Sequence, residues 1–322
     1  MIQVGGLSKS FRSVQAIESV SFEVAAGETF ALLGPNGSGK TTTLKAVAGL
    51  HAPDSGEVQI DGISLRKEAK KALRKVSYLP QRVSFPESLT AREILEFYQR
   101  LRKLPPERVE EVLDRFRFRG MESRYVQEFS GGMMQRLGIA VMCLAQAPIL
   151  LLDEPTVSLD PDTAIEFRQY LLEQKRAGKT ILFSSHVLTD VEQLADKVAI
   201  LVGGRLMAVE SVESLRAGLA AGSGIRVAAG KPDERLADTA RKAGAVTAAW
   251  EGNTLVLQCE PAQRWHVLCA LEQAGASIEG FSTAEPALEE IYLRYVHESH
   301  RSGDAGIACS GLSGEALRAG GC

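Results

Sequence analysis

Gly34-Pro35-Asn36-Gly37-Ser38-Gly39-Lys40-Thr41-Thr42 is the stretch whose reading decides the fold. It fits G-x-x-x-x-G-K-[ST], a loop whose backbone amides cradle phosphates. Its flanks are of the required kind. Thr29–Leu33 is an apolar run expected to be a short buried strand, and Thr41–Leu50 is expected to run as a helix. The glycines let successive N–H groups converge on an anion, and the helix adds the positive end of its dipole. Lys40 would then reach the β- and γ-phosphates, while Thr41 would place its hydroxyl on Mg²⁺. The plain alternative is a Gly-rich turn with an incidental lysine. The strand before and the helix after argue against it, so the rest of the chain must explain what a bound ATP is for.

Composition narrows the field. A chain of 322 residues has room for about two domains with separate cores. Its formal net charge of −3 gives no global reason to bind nucleic acid or an anionic membrane. No apolar run approaches the ~20 residues needed to span a bilayer. Met1-Ile-Gln-Val-Gly-Gly6 lacks a basic, then apolar, leader, so no signal peptide is expected. The five cysteines are scattered and odd in number, a pattern that suits reduced thiols in the cytosol.

Outward from the loop, strands are expected at Val20–Val24, Glu57–Ile60 and Val76–Leu79. From about 86 to 148 the periodicity turns helical. Thr90-Ala-Arg-Glu93 reads as a capping box, followed by an apolar stripe of Ile94, Leu95, Phe97, Tyr98 and Leu101. A second helix after Pro105-Pro106 places Val109, Val112, Leu113 and Phe116 on one face. The basic–aromatic run Arg115–Arg119 reads as a solvated helix end, because acidic residues surround it. Ile149–Leu152 and Thr180–Ser184 are expected to be buried strands, with a helix from 162 to 176 between them and a hairpin about Gly203-Gly204 after them. Small residues from 217 to 224 mark a domain boundary. Beyond it a β-α-β-β-α-β order, compatible with a small ferredoxin-like α+β domain, occupies 218–298 together with a final helix at 286–297. The Gly-, Ala- and Ser-rich residues 299–322 are expected to form a disordered tail.

Asp153 and Glu154 end a hydrophobic strand, where ligands bind in open α/β sheets. One carboxylate can hold Mg²⁺ and the next can orient an attacking water, which is most of what phosphoryl transfer requires. His186 also follows a buried strand and can donate to a γ-phosphate. In Ser130-Gly131-Gly132-Met133-Met134-Gln135-Arg136, Ser130 can cap a helix whose start is open to a phosphate. Two phosphate-binding helix starts in one chain suggest one nucleotide shared between two copies.

In this order the motifs resemble those of ABC (ATP-binding cassette) transporter ATP-binding subunits over residues 1 to about 217. Gly34–Thr41 resembles Walker A and Tyr78-Leu-Pro-Gln81 the Q-loop. Phe129-Ser-Gly-Gly132 resembles the signature, Leu150–Glu154 Walker B, Ser158-Leu-Asp160 the D-loop, and His186 the switch histidine. The resemblance implies an α/β P-loop NTPase cassette, a RecA-like mixed sheet with a helical subdomain, that hydrolyses ATP with Mg²⁺. It implies that Phe11 stacks on adenine, and that Gly34 to Thr42 bind the phosphates. Ser130, Gly131, Gly132 and Asp160 would serve the ATP held by a second copy. Thr41, Gln81 and Asp153 would touch the metal, with Glu154, His186 and Gln81 acting in catalysis. The implied partners are a second copy, in an ATP-sandwich homodimer, and a polytopic membrane permease, with no nucleic acid; the implied place of this chain is cytoplasmic, peripheral on the inner face of the cell membrane. Phe129 and Met133 depart from the usual leucine and glutamine, and Met133 is similar to a subgroup serving compact exporters. Within it, Leu152–Val157, Glu285–Tyr292 and Leu293–Val296 most resemble the copper-maturation ATPases of nitrous oxide reductase (NosF-type). ATPases of drug, lipid or polysaccharide exporters share the same cassette, as do soluble ABC ATPases outside transport. His297, His300, Cys309 and Cys322 match no tight metal-ligand spacing.

Overall fold

The computed structural model describes residues 1–157, 159–215 and 224–284. The expected helix at 286–297, the tail, the motifs beyond Glu285 and most of the 217–224 boundary lie outside these residues, as does Ser158.

A six-stranded sheet carries the site. Its order is β10(Arg205–Ser211)-β9(Lys197–Val202)-β3(Thr29–Leu33)-β8(Thr180–Ser185)-β7(Ile149–Asp153)-β6(Val76–Leu79). From β9 to β6 every pairing is parallel, and β10 returns antiparallel at the edge. Parallel strands buried on both faces read as continuous apolar runs, and β3, β7 and β8 are buried at every position. A second sheet, β2(Val14–Val24)-β1(Ile2–Phe11)-β4(Ser55–Ile60)-β5(Ile63–Ser64), is antiparallel throughout. The first strand expected here, Val20–Val24, proves to be the end of the eleven-residue β2.

Helices α1(Lys40–Val47) and α2(Leu65–Leu73) belong to this part of the chain. A helical cluster follows, with α3(Ala91–Leu101), α4(Glu107–Arg115) and α5(Gly131–Leu144). Thr90 and Glu93 form the expected reciprocal capping box at the start of α3. Ile94 and Leu95 are buried there, but Phe97 and Leu101 stand 52% and 65% exposed, so the stripe is narrower than its residues suggest. The Arg115–Arg119 run needs a larger correction. Phe118 is fully buried and stacks on Phe129 with ring centroids 6.1 Å apart, so this is a core segment and not only a solvated end. The chain leaves the helix at Phe116 and takes a positive φ at Arg117, which turns Phe118 inward beyond the reach of a helical-period reading. The arginines do face solvent, paired as Arg115–Glu173, Arg117–Glu166 and Arg119–Glu110.

Helices α6(Pro161–Arg176) and α7(Leu188–Leu194) complete the first 215 residues. Residues 224–284 pack a core of their own about Val227, Leu255, Leu257, Val267 and Leu271. Strands β11(Gly224–Ala228), β12(Thr247–Glu251), β13(Thr254–Gln258) and β14(Gly280–Ala284) form an antiparallel sheet of order β12-β13-β11-β14, with α8(Glu234–Lys242) and α9(Arg264–Gln273) between strands. That is the split β-α-β-β-α-β order expected from the sequence. The last strand begins at Gly280 and not Ser277.

Phe118→Ala should destabilise the helical cluster by about 3–5 kcal/mol, the usual cost of emptying a buried aromatic site. Hydrogen exchange should accelerate in α3–α5; unchanged protection there would contradict the burial of Phe118.

Candidate functional site

Parallel strands end on the same edge of a sheet, and here those ends deliver the chemistry. The phosphate loop leaves β3, Gln81 follows β6, Asp153 closes β7 with Glu154 next, and His186 follows β8.

The loop is shaped by its glycines. A Cβ on Gly34 would overlap the Leu201 carbonyl oxygen, so the backbone passes where no other residue fits. Gly39 precedes α1 with φ 98°, a left-handed conformation that disfavours any side chain. Lys40 Nζ donates to the carbonyls of Gly34 (2.8 Å) and Pro35 (3.1 Å) and lies 3.5 Å from Glu154 Oε1. Burial pushes its pKa down, and the neighbouring Glu154 carboxylate pulls in the opposite direction.

Asp153 is fully buried. Its Oδ1 accepts from Thr41 Oγ1 (2.9 Å) and Ser184 Oγ (2.7 Å), whereas its buried Oδ2 has no partner among the described residues. Burial raises the Asp153 pKa, against the lowering effect of those two hydroxyl donors. A hydroxyl beside a carboxylate with a spare buried oxygen is a hard-donor set of the kind Mg²⁺ takes, the remaining positions going to water and phosphate. Thr41 and Asp153 therefore fit the metal. Gln81 is placed differently: its Nε2 donates to Glu154 Oε2 at 2.8 Å.

Glu154 is the hub. Only 6% exposed, it meets Lys40, Gln81 and His186 Nδ1, the last at 3.3 Å. Its backbone has φ 45°, a strained conformation for a glutamate, and its N–H donates to Ser184 Oγ at 2.9 Å. Ser184 thus binds the Asp153 carboxylate and the Glu154 backbone together. Sequence reading passed over it, although the parallel register that pairs Ser184 with Asp153 follows from aligning the two strand ends.

The other expected residues lie outside this cluster. Ser130 caps α5, its hydroxyl accepting from Met133 N at 3.3 Å, and Ser130 and Gly131 are exposed. Phe129 is accounted for by Phe118, on which it stacks. Asp160 caps α6, accepting from Thr163 N (3.0 Å) and Thr163 Oγ1 (2.8 Å), and that hydroxyl in turn accepts from Arg136 of α5 at 2.7 Å. Phe11 is 43% exposed, edge-on to His51 at 5.3 Å. Lys9 Nζ lies over the same ring, 5.7 Å from its centroid.

A family model for ABC transporters matches residues 17–157. The uncharacterised ABC transporter ATP-binding protein YxlF of Bacillus subtilis is 40% identical over 210 residues, 64% of this chain and 69% of that protein. The chain belongs to the ABC transporter ATP-binding proteins. Among these relatives, the daunorubicin/doxorubicin resistance ATP-binding protein DrrA of Streptomyces peucetius is 30% identical over 302 residues, covering 91% of both chains. The ATP-binding cassette MJ0796, in a dimeric post-hydrolysis state with ADP and Pi, superposes with a TM-score of 0.62 at 26% identity, over 66% of this chain and 99% of that one. The fold of this ABC protein is the ABC ATPase cassette, with its mixed sheet and helical cluster.

Lys40→Ala should weaken ATP binding about tenfold or more, since a buried charge-assisted contact to phosphate is lost. Titration with a fluorescent ATP analogue checks this; unchanged affinity would remove the loop from the site.

Proposed function

We propose that this protein is the ATP-hydrolysing subunit of an ABC exporter, acting as a head-to-tail pair of copies against a separate polytopic permease. One observation carries the reading. Lys40, Thr41, Asp153, Glu154, Gln81 and His186 converge on one sheet edge, while the second phosphate-ready helix start, at Ser130-Gly131-Gly132, has Ser130 and Gly131 exposed and, among the described residues, takes no part in these contacts. A second copy would bring its own Ser130 end to complete the site, as the dimeric state of MJ0796 supports.

In this mechanism Gly34 to Thr42 would hold the phosphates of ATP, Lys40 would neutralise the β- and γ-oxygens, and Phe11 would stack on the adenine. Thr41 and Asp153 would hold Mg²⁺, which when bound neutralises charge on the reacting phosphate. Glu154 would orient the attacking water and accept its proton, with His186 fixing the carboxylate from the opposite side. Gln81 binds Glu154 directly, so a change at the reacting end can reach the segment after β6 that leads into the helical cluster. Asp160, held to α5 through Thr163 and Arg136, would serve the contact between copies.

The export assignment rests on the drug-resistance relative, whose similarity extends past the cassette through most of the chain. We divide the chain accordingly into a cassette at 1–217, an accessory domain at 218–298 and a tail at 299–322. The NosF-type reading leans on Leu152–Val157 and on motifs at 285–296, and the resistance and export relatives favour small-molecule efflux over copper-site maturation. No described helix is long and apolar enough to cross a membrane. The kinship with ABC transporter ATP-binding proteins supports a place on the cytoplasmic face, held by the permease.

Glu154→Gln should retain ATP binding while turnover falls by about 10² or more. With ATP it should elute as a dimer in size-exclusion chromatography; near-normal turnover would remove Glu154 from its role. Native purification should also recover a polytopic membrane protein. Recovery of ribosomes instead would sink the transport reading.

A further inference from the structure

Asp190 is a charged residue that the proposed chemistry does not use, yet it is 3% exposed. It lies in the first turn of α7, four residues after His186. Its two oxygens face two different segments. Oδ2 accepts from Thr156 Oγ1 at 2.6 Å, and Oδ1 accepts from Arg168 Nη1 of α6 at 2.8 Å. Thr156 is two residues beyond Glu154, on the loop that runs on to Asp160. A buried carboxylate needs compensation for lost hydration, and one short hydroxyl bond plus one guanidinium supply it here.

These contacts close a circuit. From Glu154 the chain runs to Thr156, crosses by hydrogen bond to Asp190, returns along α7 to His186, and crosses again to Glu154 at 3.3 Å. Ser185 Oγ secures the corner, accepting from Val187 N at 2.9 Å. The Asp190 anchor lies in the first turn of α7, four residues beyond the histidine it steadies. Arg168 ties the same carboxylate to α6, the helix capped by Asp160.

We infer that Asp190 is a positioning residue: it clamps Thr156, just after Glu154, to α7 and so holds His186 in register with Glu154. The inference rests on the proposed roles of those two residues. Misplacing a reacting group by about 1 Å is enough to cost up to 10²-fold in rate. Without the clamp, His186 loses its fixed approach to Glu154, whereas the phosphate loop and its lysine are untouched.

The test compares Asp190→Asn, Asp190→Glu and the near-isosteric Thr156→Val, each alone and in a His186→Ala background, by ATPase kinetics and thermal unfolding. Asp190→Asn and Thr156→Val should lower kcat about tenfold or more, leaving KM for ATP within about twofold, and Asp190→Glu should recover part of the loss. In the His186→Ala background neither substitution should lower kcat further, while the thermal shift persists. Thr156→Val keeps the test open if Asp190→Asn fails to fold, because it leaves the Arg168 pair in place. Additive losses with His186→Ala, or a change in KM alone, would overturn the clamp. Normal turnover of His186→Ala by itself would instead remove the histidine from its role, and the clamp with it.

Discussion

The Asp153 carboxylate is the constraint on which the rest of the site depends. Burying a carboxylate at the end of an apolar strand is costly, and burial raises its pKa. The structure meets that cost on one side only: Thr41 and Ser184 donate to Oδ1, and Oδ2 is left for something else. Thr41 lies in the first turn of α1 and Ser184 lies on β8, so satisfying one oxygen fixes the phosphate loop and the neighbouring strand relative to β7. The same Ser184 hydroxyl accepts the Glu154 N–H and stabilises a left-handed glutamate. That conformation turns Glu154 toward Lys40, Gln81 and His186, so one buried acid organises the next.

Charge explains why this cluster suits a nucleotide. Lys40 answers Glu154 across 3.5 Å, and burial holds its pKa down. Much of its positive charge is nonetheless directed at the loop's own carbonyls, which are weaker partners than a phosphate. Polyphosphate can therefore compete for the lysine on favourable terms. The start of α5 is a second anion-ready end with no acidic residue in its first turn. Under the proposed reading it waits for the nucleotide of another copy.

Much of this was legible from residues alone. The phosphate loop, the acidic strand end at Asp153-Glu154 and the Ser130 cap announce themselves because each needs a specific residue type at a specific backbone position. The capping box at Thr90 was readable for the same reason. What escaped was set by tertiary contacts. Phe118 looked like part of a solvated run because its inward turn depends on a positive φ at Arg117, which no periodicity encodes. Phe97 and Leu101 share the apolar spacing of their helix, yet the helical cluster covers only the side carrying Ile94 and Leu95. Ser184 and Asp190 are ordinary letters in the sequence. Their importance comes from parallel strand register and from the short return of α7, both properties of the assembled sheet edge.

Under the proposed function this chain holds half of a site. Mixing two inactive variants tests it most directly, one carrying Lys40→Ala and the other Ser130→Arg. In a mixed head-to-tail dimer one site unites both defects and the other unites both intact halves. With random pairing, half of the dimers regain one of two sites, so ATPase activity should rise to about a quarter of the wild-type value on mixing. Activity no higher than that of either variant alone would contradict a site shared between copies.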